Sequence, residues 1–503
     1  MKGIQSFGKA VLTKAFRSRA STKSSSIEML AFSLINAFFN FLKSVIIASR
    51  FGASSLSDAY YASVNIVNGP AGLLSDSLTA LVLPRYQHHK EHDSQDDYLA
   101  SYISVVLILF AALAVFFAVA GPAIARIVLA GFQGETLRTI DRLLLLTLPV
   151  IVLTPLTIVL DGALRSERFF IFGNIGGVVN SIILIGLLLL MKGDVSGIVV
   201  ATLIAVAANF AVMLAVMAGK KKLRGKISLA LGLREAKIAL PLVIGGGLGI
   251  AASYAEKAIA SFLDTGTMTV LNMSSSLLGV ASSILVGSLI SVYYPFISSA
   301  VVSGDAGAYA AHNEESRRLV FGIFGLASAC MIAFAYPLFS FVYGRGEFGP
   351  ESVALLSRLF ASSSFLLVYY AWGNLSNYVF YAKADSKTTV IINALTSYAL
   401  GVSLQFALSF AFGPIGLIFG LSLGNLANLL VKRAVMRRRY GLSLFSGGDA
   451  AVLIAILGIS IVSGFLPWSP WHLLLPLLYY LAISLARYKI SPRKMLDYLL
   501  RRA

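Results

Sequence analysis

Apolar residues run along this chain in blocks of about twenty, the length a helix needs to cross the hydrocarbon of a bilayer, and short polar stretches part them. The pattern predicts membrane-spanning helices near 27–48, 59–84, 98–121, 140–163, 169–191, 195–218 and 237–262. A second set is expected near 268–297, 318–343, 352–381, 388–412, 414–436, 450–467 and 471–487, giving about fourteen in all. The fold class is therefore an all-α polytopic membrane protein. An even number of crossings places both termini on one side.

Composition sharpens this reading. The chain is 57% hydrophobic and 13% charged, against roughly 25% charged in a soluble domain. Its net charge of +18 is no nucleic-acid signal, because the basic residues fall between the apolar blocks. With the spans alternating, four basic groups share a side: Lys2, Lys9, Lys14, Arg17, Arg19 and Lys23; Lys220, Lys221, Lys222, Arg224 and Lys226; Lys432, Arg433, Arg437, Arg438 and Arg439; and the tail from Arg487 to Arg502. The positive-inside rule makes that side the cytoplasm, so both termini are expected there, in a bacterial inner membrane. Cys330 stands alone in an apolar block, which excludes an intrachain disulfide and a thiolate metal cluster. The polar, basic start has no apolar core followed by a cleavage site, and the first span is expected to act as an uncleaved signal.

An internal repeat sets the domain organisation. Gly197 to Asn209 in the sixth span matches Gly416 to Asn428 in the twelfth with the same spacing, and each copy is followed by a basic cluster. One span earlier, each has a charged turn and an Asn-bearing helix, with Asn180 in one copy and Asn393 in the other. The expected layout is a cytoplasmic segment 1–26, an N-lobe 27–219, a basic linker 220–236, a C-lobe 237–440, an appended helix pair 450–488 and a tail 489–503. Parallel repeats of this kind occur in secondary transporters, with substrate bound between the lobes.

Charges inside spans are costly and mark candidate sites. The first span carries Lys43, the second Asp58 at its outer end and Asp76 deep inside, and the seventh Glu256 and Lys257. Lys43 suits a diphosphate; the alternative is a structural pair with Asp76. Lys257 either joins the substrate site or snorkels toward Asp264. Adjacent helix positions diverge by about 100°, so Glu256 is expected on a different face, able to hold sodium or a proton with Asn393, Thr396 and Ser397, or to make ordinary interhelical hydrogen bonds. His88, His89 and His92 read as exposed and lack ligand spacing, and there is no Walker A motif, so neither an enzyme nor direct ATP coupling is expected.

Several stretches together resemble one family. Lys43-Ser-Val-Ile-Ile-Ala-Ser-Arg-Phe-Gly-Ala-Ser-Ser-Leu-Ser-Asp-Ala-Tyr-Tyr61, Leu81-Val-Leu-Pro-Arg-Tyr86, Ser291-Val-Tyr-Tyr-Pro-Phe-Ile-Ser298, Tyr343-Gly-Arg-Gly-Glu-Phe348 and Phe380-Tyr-Ala-Lys-Ala-Asp-Ser-Lys-Thr-Thr389 follow the order of the MurJ (MviN) lipid II flippases of the MOP exporter superfamily. The resemblance implies two six-helix lobes, alternating access and a cationic cavity for an undecaprenyl-diphosphate-linked glycan, with two extra helices guiding the lipid tail. It also implies that Lys43, Asp58 and Asp76 stand at the family's substrate-cavity positions and that Glu256 serves a coupling cation, while Lys257 joins the substrate candidates as an in-span charge. Sodium, protons or membrane potential would drive the cycle without any other cofactor, and membrane lipids and cell-wall or polysaccharide synthesis enzymes would be partners. Ala37, Ala71 and Ser274 stand where the family has basic residues, which keeps an exopolysaccharide or O-unit lipid as the alternative cargo. Two other classes remain: a cation-coupled small-molecule exporter and a non-transporting scaffold for glycan assembly.

Overall fold

A computed structural model of the chain describes residues 22–167, 170–190, 194–219 and 225–490. Most of the amino-terminal basic run, the cluster at 220–224 and the tail beyond 490 lie outside the described residues. The apolar blocks fold as helices, because in hydrocarbon a backbone must find its hydrogen bonds within its own segment. In chain order these are α1 (Thr22–Phe51), α2 (Ser55–Glu91), α3 (Gln95–Val128), α4 (Gly134–Ser166), α5 (Phe170–Leu190) and α6 (Ser196–Gly219). Then come α7 (Leu229–Lys237), α8 (Leu240–Ser261) and α9 (Thr267–Ser303). The remainder are α10 (Ala306–Tyr343), α11 (Pro350–Ala382), α12 (Ser386–Tyr440), α13 (Gly447–Phe465) and α14 (Pro470–Ser484).

Among the described residues there is no strand, and 8 helices are long and apolar enough to cross a membrane, with shorter apolar helices besides. Side chains such as Val119, Leu190 and Phe410 are 79%, 80% and 78% exposed. Such surfaces suit lipid, not water. The protein is thus a polytopic helical membrane protein. Several helices outrun their expected spans: α2 continues to Glu91 and α10 begins at Ala306, each carrying a polar end.

The chain forms two compact units, one of Met1–Ile46 with Ala59–Ile250, the other of Ile47–Asp58 with Ala251–Ala503. In the first, α3 packs on α4, and α4 and α5 pack on α6. The segment expected as a linker contains α7, which lies on α3. Gly232 permits this approach, since a Cβ there would come 2.5 Å from the Ser101 carbonyl. Glu235 anchors α7: its buried carboxylate accepts Nε and Nη2 of Arg85 at 2.5 and 2.7 Å. His89 Nε2 lies 3.6 Å from the same carboxylate. His89, expected to be exposed with its neighbours, is 7% exposed, stacked on Tyr98. A ring in helix register with Arg85 is drawn inward by the same acid.

In the second unit α12 is a hairpin rather than a rod. It breaks at Gly413, whose φ of 57° and ψ of −141° suit glycine, and Pro414 opens the second limb. The limbs touch backbone to backbone. A Cβ on Gly416, Gly420 or Gly424 would lie 2.1 Å from Leu408 O, 2.2 Å from Gln405 N or 2.5 Å from Gly401 Cα, a small-residue seam of the kind that lets membrane helices approach closely.

The last two helices, read as an appendage, join this unit through polar bonds. A turn of π-helix at Val320–Phe324 in α10 presents carbonyls that α14 meets: Tyr479 Oη donates to Phe321 O at 2.6 Å and Ser484 Oγ to Gly322 O at 2.9 Å. Asp449, at the start of α13, accepts Arg317 Nη1 at 2.8 Å and Tyr488 Oη at 2.7 Å. The chain after α14 is thereby tied to α10.

Two outcomes are expected. Gly420→Leu should destabilise the protein by at least about 1–3 kcal/mol, because backbone rather than a movable side chain blocks the new atoms; thermal unfolding in detergent measures this. Burial pushes the Glu235 carboxyl up, but the Arg85 bonds and His89 outweigh it and leave it below the ordinary glutamate value. Its contribution is thus present above that ordinary value and lost as pH falls through the depressed one. Amide exchange across Leu229–Lys237, corrected for its intrinsic rate, should quicken on acidification, and Glu235→Gln should show the quicker rate at neutral pH.

Candidate functional site

Lys43 is half-buried on α1. Among the described residues no carboxylate lies within salt-bridge reach of it, and the side chain of Asp76 is outside the described residues.

Asp58 is 1% exposed and both of its oxygens meet protein donors. Oδ2 accepts the amide of Gly266 at 2.6 Å, and Oδ1 accepts the amide and hydroxyl of Thr269 at 2.8 and 2.6 Å. These amides belong to the first turn of α9, whose N-cap residue Gly266 has no side chain to offer. A helix start has unpaired N–H groups and the positive end of a dipole. Asp58 meets both needs from 208 residues away.

Glu256 and Lys257 on α8 form an ion pair, Nζ to Oε1 2.9 Å. The expectation that adjacent positions face apart therefore differs from the structure: the four-carbon lysine stem curls back and spans the divergence of the two Cα–Cβ directions. Lys257 is 8% exposed, so the pair neutralises its charge where water is scarce.

Asn393, Thr396 and Ser397 sit where α12 leaves regular geometry. Ala394–Leu400 is π-helical, a distortion frequent at functional sites. Asn428 of the second limb donates Nδ2 to Asn393 Oδ1 and Thr396 Oγ1, both at 2.9 Å, and Ser397 Oγ lies 3.3 Å from Tyr369 Oη. Asn428 Oδ1 is buried with no partner among the described residues. The repeat spacing marked Asn428 without assigning it a role. In the other copy Asn209 lies against the preceding helix too, its Oδ1 2.4 Å from where a Cβ on Gly176 would stand.

Lys432, counted with the cytoplasmic basic run, is 1% exposed and donates to Asn377 Oδ1 at 2.8 Å. One helical turn after Asn428, it shares that buried face of α12. Its placement among arginines gave no sign of this. Among the described residues no group of three or more His, Cys, Asp or Glu could hold a metal ion.

Solved structures share this fold. A lipid II flippase MurJ in an inward closed conformation superposes with a TM-score of 0.73 at 18% identity, covering 94% of this chain and 100% of that one. An inward-facing multidrug resistance MATE transporter of the MOP superfamily gives 0.67 at 15% identity, covering 82% and 97%. The fold is that of MOP-superfamily membrane transporters. The profile of the family described as lipid II flippase MurJ matches residues 47–480, and the lipid II flippase MurJ of Burkholderia cenocepacia is 24% identical over 464 residues, 87% of this chain and 88% of that protein. The chain belongs to the MurJ family.

Replacing Asp58 by Ala should leave the α9 amides unpaired and cost roughly 1–3 kcal/mol for each buried donor stranded. Calorimetric unfolding of the variant, alongside Asp58→Asn with its smaller loss, checks the assignment.

Proposed function

We propose that this protein is a flippase that moves a polyprenyl-diphosphate-linked glycan, lipid II first among them, from the inner to the outer leaflet of the bacterial inner membrane by alternating access. The single observation that supports this most is the family match across residues 47–480. The in-span charges give the reading its chemistry. Among the described residues Lys43 has no acid partner and Lys257 has only the single charge of Glu256 against it. A diphosphate carries more charge than one carboxylate and competes for the Lys257 ammonium with charge-assisted bonds. Its arrival frees the Glu256 carboxylate, so substrate binding and the charge state of α8 are linked through one ion pair. Asp58 acts by fixing the start of α9, and Asp76 remains a candidate partner for Lys43.

The residues fit a monovalent cation. Asn428 Oδ1 is a buried oxygen without a partner, and Asn393, Thr396 and Ser397 supply neutral oxygens beside it on the hairpin, a donor set of the hard-cation type. With Glu256 they would hold such an ion, which would supply positive charge at the hairpin. On this reading both termini face the cytoplasm, the side that the positive-inside rule gives to the basic clusters.

Proteoliposomes carrying fluorescent lipid II, scored by headgroup accessibility, test this. The native chain should move lipid II, and Lys43→Ala should lower the rate about tenfold or more, the scale of one lost charge-assisted bond. Glu256→Gln should tighten headgroup binding while slowing turnover. Movement of an exopolysaccharide lipid precursor but not lipid II would reassign the cargo, and movement of neither would overturn the reading.

A further inference from the structure

The exposed residues of a membrane helix report what that helix faces. Along 107–119 of α3 every exposed residue is apolar, as suits lipid. α11 is the inverse. Across 365–381 every residue that is not buried is Tyr or Asn, while the phenylalanines, leucines and valines are all buried. Hydrocarbon offers an amide or a hydroxyl no partner, so this face of α11 meets water or a polar ligand. Tyrosines at headgroup depth are a different case, because Tyr370 and Asn374 lie more than two turns inside the end of the helix at Ala382.

Two of these α11 residues are already engaged. Tyr369 Oη meets Ser397 Oγ, and Asn377 Oδ1 accepts Lys432 Nζ, both partners belonging to α12. The others, Tyr370, Asn374, Tyr378 and Tyr381, recur at intervals of four, four and three and so share one face. Asn374 Nδ2 donates to Tyr370 O at 2.8 Å, which leaves Oδ1 as an acceptor. Tyr378 packs against Tyr294 of α9 with ring centres 4.1 Å apart and meets Tyr381 edge-on at 6.0 Å.

α9 carries a second line of this kind. Ser276, Gly279, Ser283 and Gly287 are exposed, three or four residues apart, and Tyr294 continues the spacing. A Cβ on Gly279 or Gly287 would meet nothing within 4 Å. Both helices lie in the second unit, and the Tyr294–Tyr378 contact joins their lines: α9 leaves space and α11 supplies rings and an amide. At its other end the α11 stripe reaches Tyr370, which feels the charge of Glu256, the partner of Lys257. From Tyr370 to Tyr381 it rises about 16 Å. Tyr, Asn, Ser and Gly side chains are uncharged near neutral pH, so this wall suits neither a diphosphate nor an ionised peptide. Flat rings beside an amide suit a pyranose, which offers C–H bonds on its faces and hydroxyls around its rim.

We infer that Tyr370, Asn374, Tyr378 and Tyr381, with Tyr294, form the surface that binds the sugar rings of the cargo, by stacking on the tyrosines and by a sugar hydroxyl donating to Asn374 Oδ1. The inference rests on the flippase reading for the identity of its ligand. A diphosphate at Lys257 sets the end from which the glycan, covalently attached to it, runs along α11.

Native mass spectrometry of the full chain in detergent tests this with two probes, undecaprenyl diphosphate and the same lipid bearing a disaccharide without peptide. The sugar-bearing lipid should be retained about tenfold better, the scale of one or two ring contacts. Tyr378→Leu and Asn374→Leu should bring it down to the level of undecaprenyl diphosphate and leave retention of the bare lipid unchanged, while Tyr378→Phe keeps most of the preference. Gly287→Leu, in open space two turns from Tyr294, provides a second test from α9: it should weaken the preference in a protein that unfolds at the native temperature. Equal retention of the two lipids by the native chain, an unchanged preference in all three leucine variants, or a loss shared equally by both lipids would overturn the sugar surface. Each of these would leave the flippase reading standing, since the diphosphate contacts alone can carry the lipid. A preference that appears only when the peptide is restored would overturn the surface in favour of peptide recognition. Retention of neither lipid, together with no movement of lipid II in proteoliposomes, would overturn the flippase reading and the surface with it.

Discussion

In hydrocarbon a backbone N–H or C=O that lacks a partner has no water to turn to, and the second unit is organised around that demand. Regular helix meets it for most residues, but every irregularity that shapes the protein releases groups that something else must take. Asp58 takes the amides at the start of α9. Trp468 takes the carbonyl freed by Pro337, Arg358 a carbonyl near the end of α13, and Tyr479 and Ser484 those of the π-turn in α10. Each repair joins two segments far apart in the chain. The same polar residues that look out of place in apolar blocks are what makes the helices one body.

The helices were legible in the sequence because block length and hydropathy are local properties. The break at Gly413–Pro414, the charged residues of α8 and the spacing that ends in Asn428 could also be read directly. What stayed hidden depends on distant partners or on side-chain conformation. Nothing near Asp58 in the chain points to α9, since the amides it serves come 208 residues later. Lys432 stands in a basic run that reads as solvated, yet its face of the helix turns inward to Asn377. Glu256 and Lys257 diverge as backbone directions and still meet, because a long side chain is not bound to its Cβ vector.

The charged groups divide by how they are neutralised. Asp58, Glu235 and Asp449 are each held by several donors in fixed geometry, which makes them parts of the framework. The Glu256–Lys257 pair is a single contact between flexible side chains on one helix. Contacts of the first kind break only when the fold does. A contact of the second kind can exchange partners while the helix keeps its shape.

The glycine seam of α12 carries a mechanical consequence. Where two limbs meet through backbone atoms, there is no side-chain layer to shear, and the hairpin cannot open or slide by degrees. Asn393, Thr396 and Asn428 therefore travel together as a rigid cartridge, keeping their mutual distances through any rearrangement of the second unit. Any displacement of the cartridge passes sideways to α11, from Ser397 to Tyr369 and from Lys432 to Asn377, and α11 is the helix on which it would first be felt.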